Sequence, residues 1–200
     1  MAAPSRLRRF FRSGPSAVAQ RLVPEDIVDL FRRKLFPMTT RETRRVLTGL
    51  LASRVPFVLA GGWGVDALVT ELKRRHSDID IIATPDELPA LVPALAGLGY
   101  ARSPEICAGG WWAPEKVIFC SAIGYRIEVL VLTTERLDSL ARRAEHLLGR
   151  EVPRTPVRGQ VAGLAVSCLS AELQLAAHDG FEMTHDQRQD FRLIENLARR

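Results

Sequence analysis

The chain has 200 residues, of which 46% are hydrophobic and 26% are charged, and it carries a formal net charge of +5. These values are typical of a globular protein that buries one sizeable core. No apolar run approaches the roughly 18 residues that cross a bilayer, so we expect neither a membrane-spanning segment nor a membrane partner. The three cysteines have no metal-ligand spacing, and their odd number indicates reduced thiols in the cytoplasm.

The first 38 residues form a basic amino-terminal extension. Arginine is frequent in this segment, and its first acidic residue is Glu25. The composition predicts a partly disordered arm, with a helix at 26–36 near its end. Contact of the arm with an anion or a nucleic acid is the less favoured alternative.

The rest of the chain alternates between helical and extended patterns. Thr39 and Glu42 form a capping-box pattern at the first predicted helix, and Gly124 lies in a short turn between two apolar strands that predict a hairpin. The predicted elements, in chain order, are helix 40–53, strand 56–60, helix 63–74, strand 79–83, helix 85–97, strands 117–121 and 125–132, helix 135–147, a loop at 153–159, and helices 170–178 and 186–198.

The glycines after the first strand allow a dinucleotide-binding interpretation. Gly62, Gly64 and Ala67 match the tolerant form of the Rossmann fingerprint, and Asp80 lies near the expected distance downstream. In that fold, however, the ribose-binding acid follows the apolar residues of the second strand, whereas Asp80 stands near the start of its strand. The hairpin at 117–132 also interrupts the alternation that a doubly wound sheet needs. We therefore favour another chemistry and keep NAD binding as an alternative.

Asp78 and Asp80 lie two positions apart at the start of the second predicted strand. Because side chains alternate along a strand, both carboxylates project from one face and Ile79 projects from the other. Mg²⁺ prefers oxygen ligands, and two such ions roughly 4 Å apart stabilise in-line displacement at phosphorus. The pattern therefore predicts a two-metal site, and the alternative is that both residues are turn acids without a chemical role.

Such a site needs a third carboxylate, and Glu128 can provide it. Glu128 stands inside an apolar run whose neighbours Ile127 and Val129 point to the opposite face. A buried glutamate is costly unless it is paired or bound to a metal. Glu128 is therefore either a metal ligand or the ion-pair partner of Arg126 on the same face.

The segment GGWGVD is followed by Arg74, His76, Asp78 and Asp80 in the pattern R-x-H-x-D-x-D. This block, within residues 56–83, resembles the bacterial antibiotic nucleotidyltransferases, the aminoglycoside 2″-adenylyltransferase and lincosamide nucleotidyltransferase group of the polymerase-β-like superfamily. The resemblance implies an α+β fold with a mixed sheet, flanking helices and a helical carboxyl-terminal subdomain. The implied division is an extension at 1–38, a catalytic domain at 39–140 and an acceptor-cleft subdomain at 141–200.

The resemblance also implies how a nucleotide binds. Gly61 and Gly62 would form a turn whose N–H groups meet the triphosphate at the amino end of a helix. Arg74 and His76 would contact the phosphates or brace the aspartates. His76 could instead be a structural residue that caps the strand or pairs with Asp78.

The implied chemistry joins this nucleotide site to an acceptor. Asp78, Asp80 and Glu128 would hold two Mg²⁺ ions, with Glu128 as ligand or general base. A hydroxyl of a small antibiotic would attack the α-phosphate of ATP or another nucleoside triphosphate and release pyrophosphate. Asp186 and Asp190 would be counter-charges for a cationic acceptor, or helix-start acids. A protein, tRNA or other metabolite is the alternative acceptor, and a non-catalytic protein is the remaining alternative.

Overall fold

The computed structural model describes residues 37–104, 107–108, 112–113, 115–180, 183 and 185–199. For residues 107, 108 and 186 it describes the backbone alone. The predicted helix 26–36 and the basic extension up to residue 36 lie outside the described residues. No helix in the described part of the chain is long and apolar enough to cross a membrane.

In the described residues, eight strands form one mixed sheet in the order β3-β5-β6-β2-β1-β8-β7, with β4 paired to β5. Strand β2 is parallel to β6, strand β1 is parallel to β8, and the remaining pairs are antiparallel. The strands are β1 Val58–Ala60, β2 Asp78–Ala83, β3 Tyr100–Arg102, β4 Cys107–Ala108, β5 Glu115–Ser121, β6 Arg126–Val131, β7 Val157–Val161 and β8 Leu164–Cys168.

Helices flank this sheet, which confirms the predicted mixed α+β fold. They are α1 Thr40–Ser53, α2 Gly61–Val69, α3 Leu88–Gly97, α4 Thr134–Leu148, α5 Ala171–His178 and α6 His185–Ala198. Helix α1 begins as its capping pattern predicts, because the Thr39 hydroxyl accepts a hydrogen bond from the Glu42 amide at 3.2 Å. The Glu42 carboxylate turns instead to Arg45 and to the hydroxyl of Tyr100.

Two sequence predictions about secondary structure were wrong. Helix 63–74 in fact begins at Gly61, directly after β1, and ends at Val69 because Thr70 adopts a left-handed conformation with φ of 56°. The predicted loop 153–159 runs into strand β7. Ala162 and Gly163 have φ of 52° and 75° and form a tight turn to β8, and positive φ at both central residues is typical of such hairpins.

The connection between β1 and β2 excludes the Rossmann alternative. Strand β2 returns antiparallel to β1, with Ala60 opposite Asp80. A dinucleotide-binding unit requires two parallel strands joined by a crossover helix. The glycines that match the fingerprint therefore stand in a different topology.

The two faces of the sheet are covered by different helices. Helices α1 and α3 pack on the face that carries Ile79, Ile81 and Ile127. Helices α4 and α5 pack on the opposite face, where they bury Ile82 and Leu130. Side chains alternate along β2 and β6, so the acidic residues of these two strands share the face of Ile82 and Leu130.

Candidate active site

Strands β2 and β6 bring the three predicted carboxylates to one place. Asp78 and Asp80 are half-buried, whereas Ile79 and Ile81 between and after them are fully buried on the other face. The parallel pairing sets Asp80 opposite Glu128, and in-register residues on neighbouring strands lie about 5 Å apart. The carboxylates therefore lie side by side on one face of the sheet.

Glu128 is paired with two cations. Its Oε1 accepts a hydrogen bond from Arg126 Nε at 2.6 Å, and its Oε2 lies 2.6 Å from Lys116 Nζ. Burial alone would raise the pKa of Glu128, but Lys116 and Arg126 outweigh it and hold the pKa below its ordinary value. The ion pair with Arg126 that the sequence left open as an alternative is therefore present, and Lys116 adds a second one.

Lys116 extends the charged cluster to strand β5. Burial opposes its charge, yet the attraction of Glu128, with a smaller contribution from Asp80, raises the pKa of Lys116. From the sequence, Lys116 is expected on a solvated face, with a phosphate contact as the alternative, whereas the structure pairs it with Glu128. The register of the β5–β6 hairpin indicates this position. Ile118 pairs with Glu128, and side chains alternate along β5, so Lys116 lies on the same face as Glu128.

Gly61 and Gly62 begin helix α2 against the charged side chains. Gly61 has a φ of +57°, and a Cβ there would overlap the carboxylate of Asp80. A Cβ on Gly62 would overlap the ring of His76 and stand 2.8 Å from a guanidinium nitrogen of Arg74. The glycine pair therefore lets three charged or polar side chains approach the helix end. Its first-turn N–H groups and its dipole favour an anion there.

His76 is buried beside this helix end. Its Nε2 lies 2.6 Å from Asp66 Oδ2, and its ring centroid is 4.7 Å from that of Trp63. The partner is therefore Asp66, and the structural pairing of His76 with Asp78 that the sequence analysis considered is wrong, because helix α2 brings Asp66 under the ring. Burial lowers the pKa of His76 against the attraction of Asp66. Among the described residues, Nδ1 has no hydrogen-bond partner, and it faces Gly62.

Arg74 connects the same region to the last helix. Its Nε lies 3.2 and 3.0 Å from the two carboxylate oxygens of Asp190, and its Nη2 lies 2.5 Å from one of them. Asp190 is buried in helix α6. Asp186 also belongs to α6, but its side chain lies outside the described residues. The two predicted acceptor-binding acids therefore share a helix, and one of them is paired with Arg74.

The donor set of β2 fits a hard divalent cation. Asp78 and Asp80 offer carboxylate oxygens on one half-buried face, next to a helix end that suits phosphate. Ser77 donates a hydrogen bond to Asp78 Oδ2 at 2.9 Å, which helps to orient that carboxylate. Glu128 is directed at its two cations, and no group of three or more His, Cys, Asp or Glu residues in the described part of the chain is arranged to hold a metal ion.

Comparison with known proteins relates this geometry to a family. A lincosamide resistance protein of Staphylococcus haemolyticus is 23% identical over 164 residues, which is 80% of this chain and 97% of that protein. A 2″-aminoglycoside nucleotidyltransferase of Escherichia coli is 32% identical over 93 residues, which is 38% of this chain and 52% of that protein.

Two solved structures have the same fold. The lincomycin-bound lincosamide adenylyltransferase LnuA superposes with a TM-score of 0.57 at 20% identity, over 80% of this chain and 98% of that chain. ANT(2″)-Ia in complex with adenylyl-2″-tobramycin superposes with a TM-score of 0.55 at 18% identity, over 79% of this chain and 88% of that chain. The sequence model of the aminoglycoside-2″-adenylyltransferase family matches residues 42–194, and the chain belongs to this family of nucleotidyltransferases.

Proposed function

We propose that this protein transfers AMP from ATP to a hydroxyl group of an aminoglycoside or lincosamide antibiotic and releases pyrophosphate in an Mg²⁺-dependent reaction. The observation that carries the proposal is the row of carboxylates on β2 and β6 beside the glycine-started helix α2, in a chain of this family. Family membership supports the nucleotidyl transfer. The antibiotic class follows from the relatives, which include a lincosamide resistance protein and a 2″-aminoglycoside nucleotidyltransferase.

The triphosphate would bind at the amino end of α2. The first-turn N–H groups beyond Gly61 and Gly62 would donate to phosphate oxygens, since the first N–H groups of a helix have no partner within it. The guanidinium of Arg74 stands next to Gly62 and adds positive charge. The buried Nδ1 of His76 points to the same place, which supports its role as a phosphate contact.

Asp78 and Asp80 would hold Mg²⁺, with Glu128 as the third acid. When bound, the metal supplies charge neutralisation of the phosphate oxygens and of the leaving pyrophosphate. Glu128 can bind the metal only if one of its oxygens separates from Lys116 or Arg126, because both oxygens are paired. We propose that Lys116 is the cation displaced, since its side chain is 21% exposed and that of Arg126 is 6% exposed.

The transfer step requires a base. The acceptor oxygen forms a bond to the α-phosphorus, the bond from that phosphorus to the bridging oxygen of pyrophosphate breaks, and the hydroxyl proton goes to a carboxylate. Glu128 has a lowered pKa and is ionised near neutral pH, so it can accept that proton. Loss of the Lys116 contact would raise the basicity of Glu128 where Glu128 acts as the base and not as a metal ligand, because a bound cation would lower its basicity again.

The acceptor would lie between the catalytic domain, residues 39–140, and the carboxyl-terminal subdomain, residues 141–200. Asp186 at the start of α6 is the acid that we propose for an amine of a cationic acceptor. Asp190 is less suited to this task because it is buried and already paired.

The test is release of pyrophosphate from ATP with tobramycin or lincomycin as acceptor, with Mg²⁺ and with EDTA. Asp78→Asn should reduce the rate at least about a hundredfold, the scale on which loss of transition-state charge stabilisation acts. Asp138→Asn is the matched control, because Asp138 is an exposed acid of helix α4 that pairs with Arg154. Release of pyrophosphate that persists in EDTA or in Asp78→Asn would contradict the proposed metal site. The absence of release with both acceptors would contradict the proposed substrate class.

A further inference from the structure

Helix α6 has a carboxylate on its packing face. Among the helix residues whose side chains are described, the buried ones are Asp190, Ile194 and Ala198, which follow one another at intervals of four and so form one stripe of the helix. The stripe is apolar except for Asp190, whose side chain is 2% exposed. Because a buried carboxylate is costly unless it is paired, this position requires a specific partner.

Arg74 is that partner, and the contact fixes the whole guanidinium group. Asp190 accepts hydrogen bonds from Nε and Nη2, which form one edge of the group. The Nη1 atom donates to the backbone carbonyl of Arg75 at 3.1 Å. A two-point contact between arginine and carboxylate sets the plane of the guanidinium as well as its position.

The oriented guanidinium stands at the amino end of α2. Its Nη2 atom would lie 2.8 Å from a Cβ placed on Gly62, so it approaches the backbone where that helix begins. Asp190 thus joins the last helix of the chain to the residue that stands beside the helix end. The Asp190 carboxylate holds the Arg74 guanidinium in place, and it is too buried to contact an acceptor.

We propose that Asp190 is a positioning residue for the nucleotide, which acts by holding the Arg74 guanidinium at the amino end of α2. The inference rests on the proposed function, in which the triphosphate binds at that helix end. It replaces acceptor binding as the role of Asp190. It also makes the helix that carries Asp186 a structural support of the nucleotide site.

The experiment compares Asp190→Asn with Glu195→Gln in the full chain. Glu195 lies on the same helix, is partly exposed and pairs only with Arg199 in the described structure. Affinity for ATP is measured by calorimetric titration with Mg²⁺, and KM is measured separately for ATP and for the antibiotic. Asp190→Asn should weaken ATP binding about tenfold or more, the value of a hydrogen bond to a charged group. In Asp190→Asn the KM for the antibiotic should change less than about twofold. Glu195→Gln should leave both the affinity for ATP and the KM for the antibiotic unchanged.

A second pair of variants separates positioning from folding. Asp190→Glu keeps the charge but moves the carboxylate by one methylene, so it should fold and still weaken ATP binding. It keeps the test available if Asp190→Asn fails to fold. Arg74→Lys removes the fork that Asp190 orients, so the double variant Arg74→Lys/Asp190→Asn should bind ATP no more weakly than Arg74→Lys alone.

Three results would overturn the inference. These are an Asp190 variant that raises the KM for the antibiotic and leaves ATP binding intact, losses that add fully in the double variant, and Asp190→Glu with unchanged affinity for ATP. The proposed function fails in a different way, because the unmodified protein would then show no Mg²⁺-dependent binding of ATP.

Discussion

Gly61→Ala adds a methyl group to the candidate active site and should reduce both stability and activity. Gly61 has a φ of +57°, and the left-handed region costs a residue with a Cβ about 1–2 kcal/mol. The added methyl group would also overlap the carboxylate of Asp80, and crowding of a packed site costs about a further 1–3 kcal/mol. The free energy of unfolding should therefore fall by about 2–5 kcal/mol.

The activity of Gly61→Ala should fall more than its stability explains. Asp80, which we propose as an Mg²⁺ ligand, must leave its place to admit the methyl group, and a misplacement of about 1 Å in an active site can cost about a hundredfold in rate. Gly149→Ala is the matched control. Gly149 has a φ of +67° at the end of α4, but a Cβ there meets no atom within 4 Å. The control should therefore lose about 1–2 kcal/mol of stability and no activity.

Thermal unfolding and the rate of pyrophosphate release, measured on the same samples, separate the two effects. For a chain of this size about 1 kcal/mol corresponds to about 2–4 °C in Tm. Calorimetric titration of ATP with Mg²⁺ shows whether the nucleotide site is lost. If Gly61→Ala and Gly149→Ala lose stability equally and both remain active, then Asp80 does not lie against Gly61 as described, and the reasoning is refuted.

Two further predictions concern the charged residues around the site. The pKa of Glu128 is lowered from 4.5 in the folded state, so its contribution to stability is present above that pH and is lost as the pH falls through the folded pKa. Lys116→Met should raise the pKa of Glu128 in the folded state. Urea unfolding should therefore show a smaller loss of stability between pH 7 and acid than in the unmodified protein. An unchanged loss would contradict the ion pair between Lys116 and Glu128. Asp66→Ala leaves the buried His76 without its carboxylate and should reduce the free energy of unfolding by about 2–3 kcal/mol, whereas the exposed Glu71→Ala should change it by less than about 0.5 kcal/mol. Both free energies are measured by urea unfolding. Equal losses in Asp66→Ala and Glu71→Ala would contradict a stabilising pair between Asp66 and His76.

The site residues on strands followed from local rules. The alternation along a strand is enough to set Asp78 and Asp80 on one face, and the same rule sets Glu128 opposite the apolar side of its strand. These local rules did not predict that β2 and β6 are neighbours, with Asp80 opposite Glu128. Pairing between segments almost fifty residues apart depends on how the whole sheet assembles, and no local pattern encodes it.

The hairpin of β7 and β8 shows how turn signals mislead. Pro153 and Pro156 precede β7 and favour a loop, and Gly159 weakens the strand pattern further. In the structure, Gly159 admits the close approach of helix α2, since a Cβ there would stand 2.7 Å from the carbonyl oxygen of Ala67. The glycine that argued against a strand is therefore the residue that lets the strand pack beside the helix.

The partners of His76 and Arg74 needed three-dimensional information for a different reason. Asp66 is ten residues from His76 in sequence and Asp190 is 116 residues from Arg74, and each pair forms only because two helices pack beside the loop before β2. A sequence predicts that a histidine or arginine near a strand start needs an acid, but several acids are available. Packing decides which acid is buried beside it.

The charge arrangement explains how the fold can hold three carboxylates together. Clustered carboxylates repel one another, and burial makes the repulsion larger. Here Glu128, the most buried of the three, has Lys116 and Arg126 on its two oxygens, so the cluster of Asp78, Asp80 and Glu128 is largely neutralised by side chains. In the proposed mechanism, a cation that enters with a triphosphate would compete with Lys116 for Glu128. Under that proposal Lys116 stabilises the fold without metal and opposes metal binding. Lys116→Met should therefore bind Mg²⁺ with ATP more tightly in a calorimetric titration, while it unfolds more easily in urea at neutral pH.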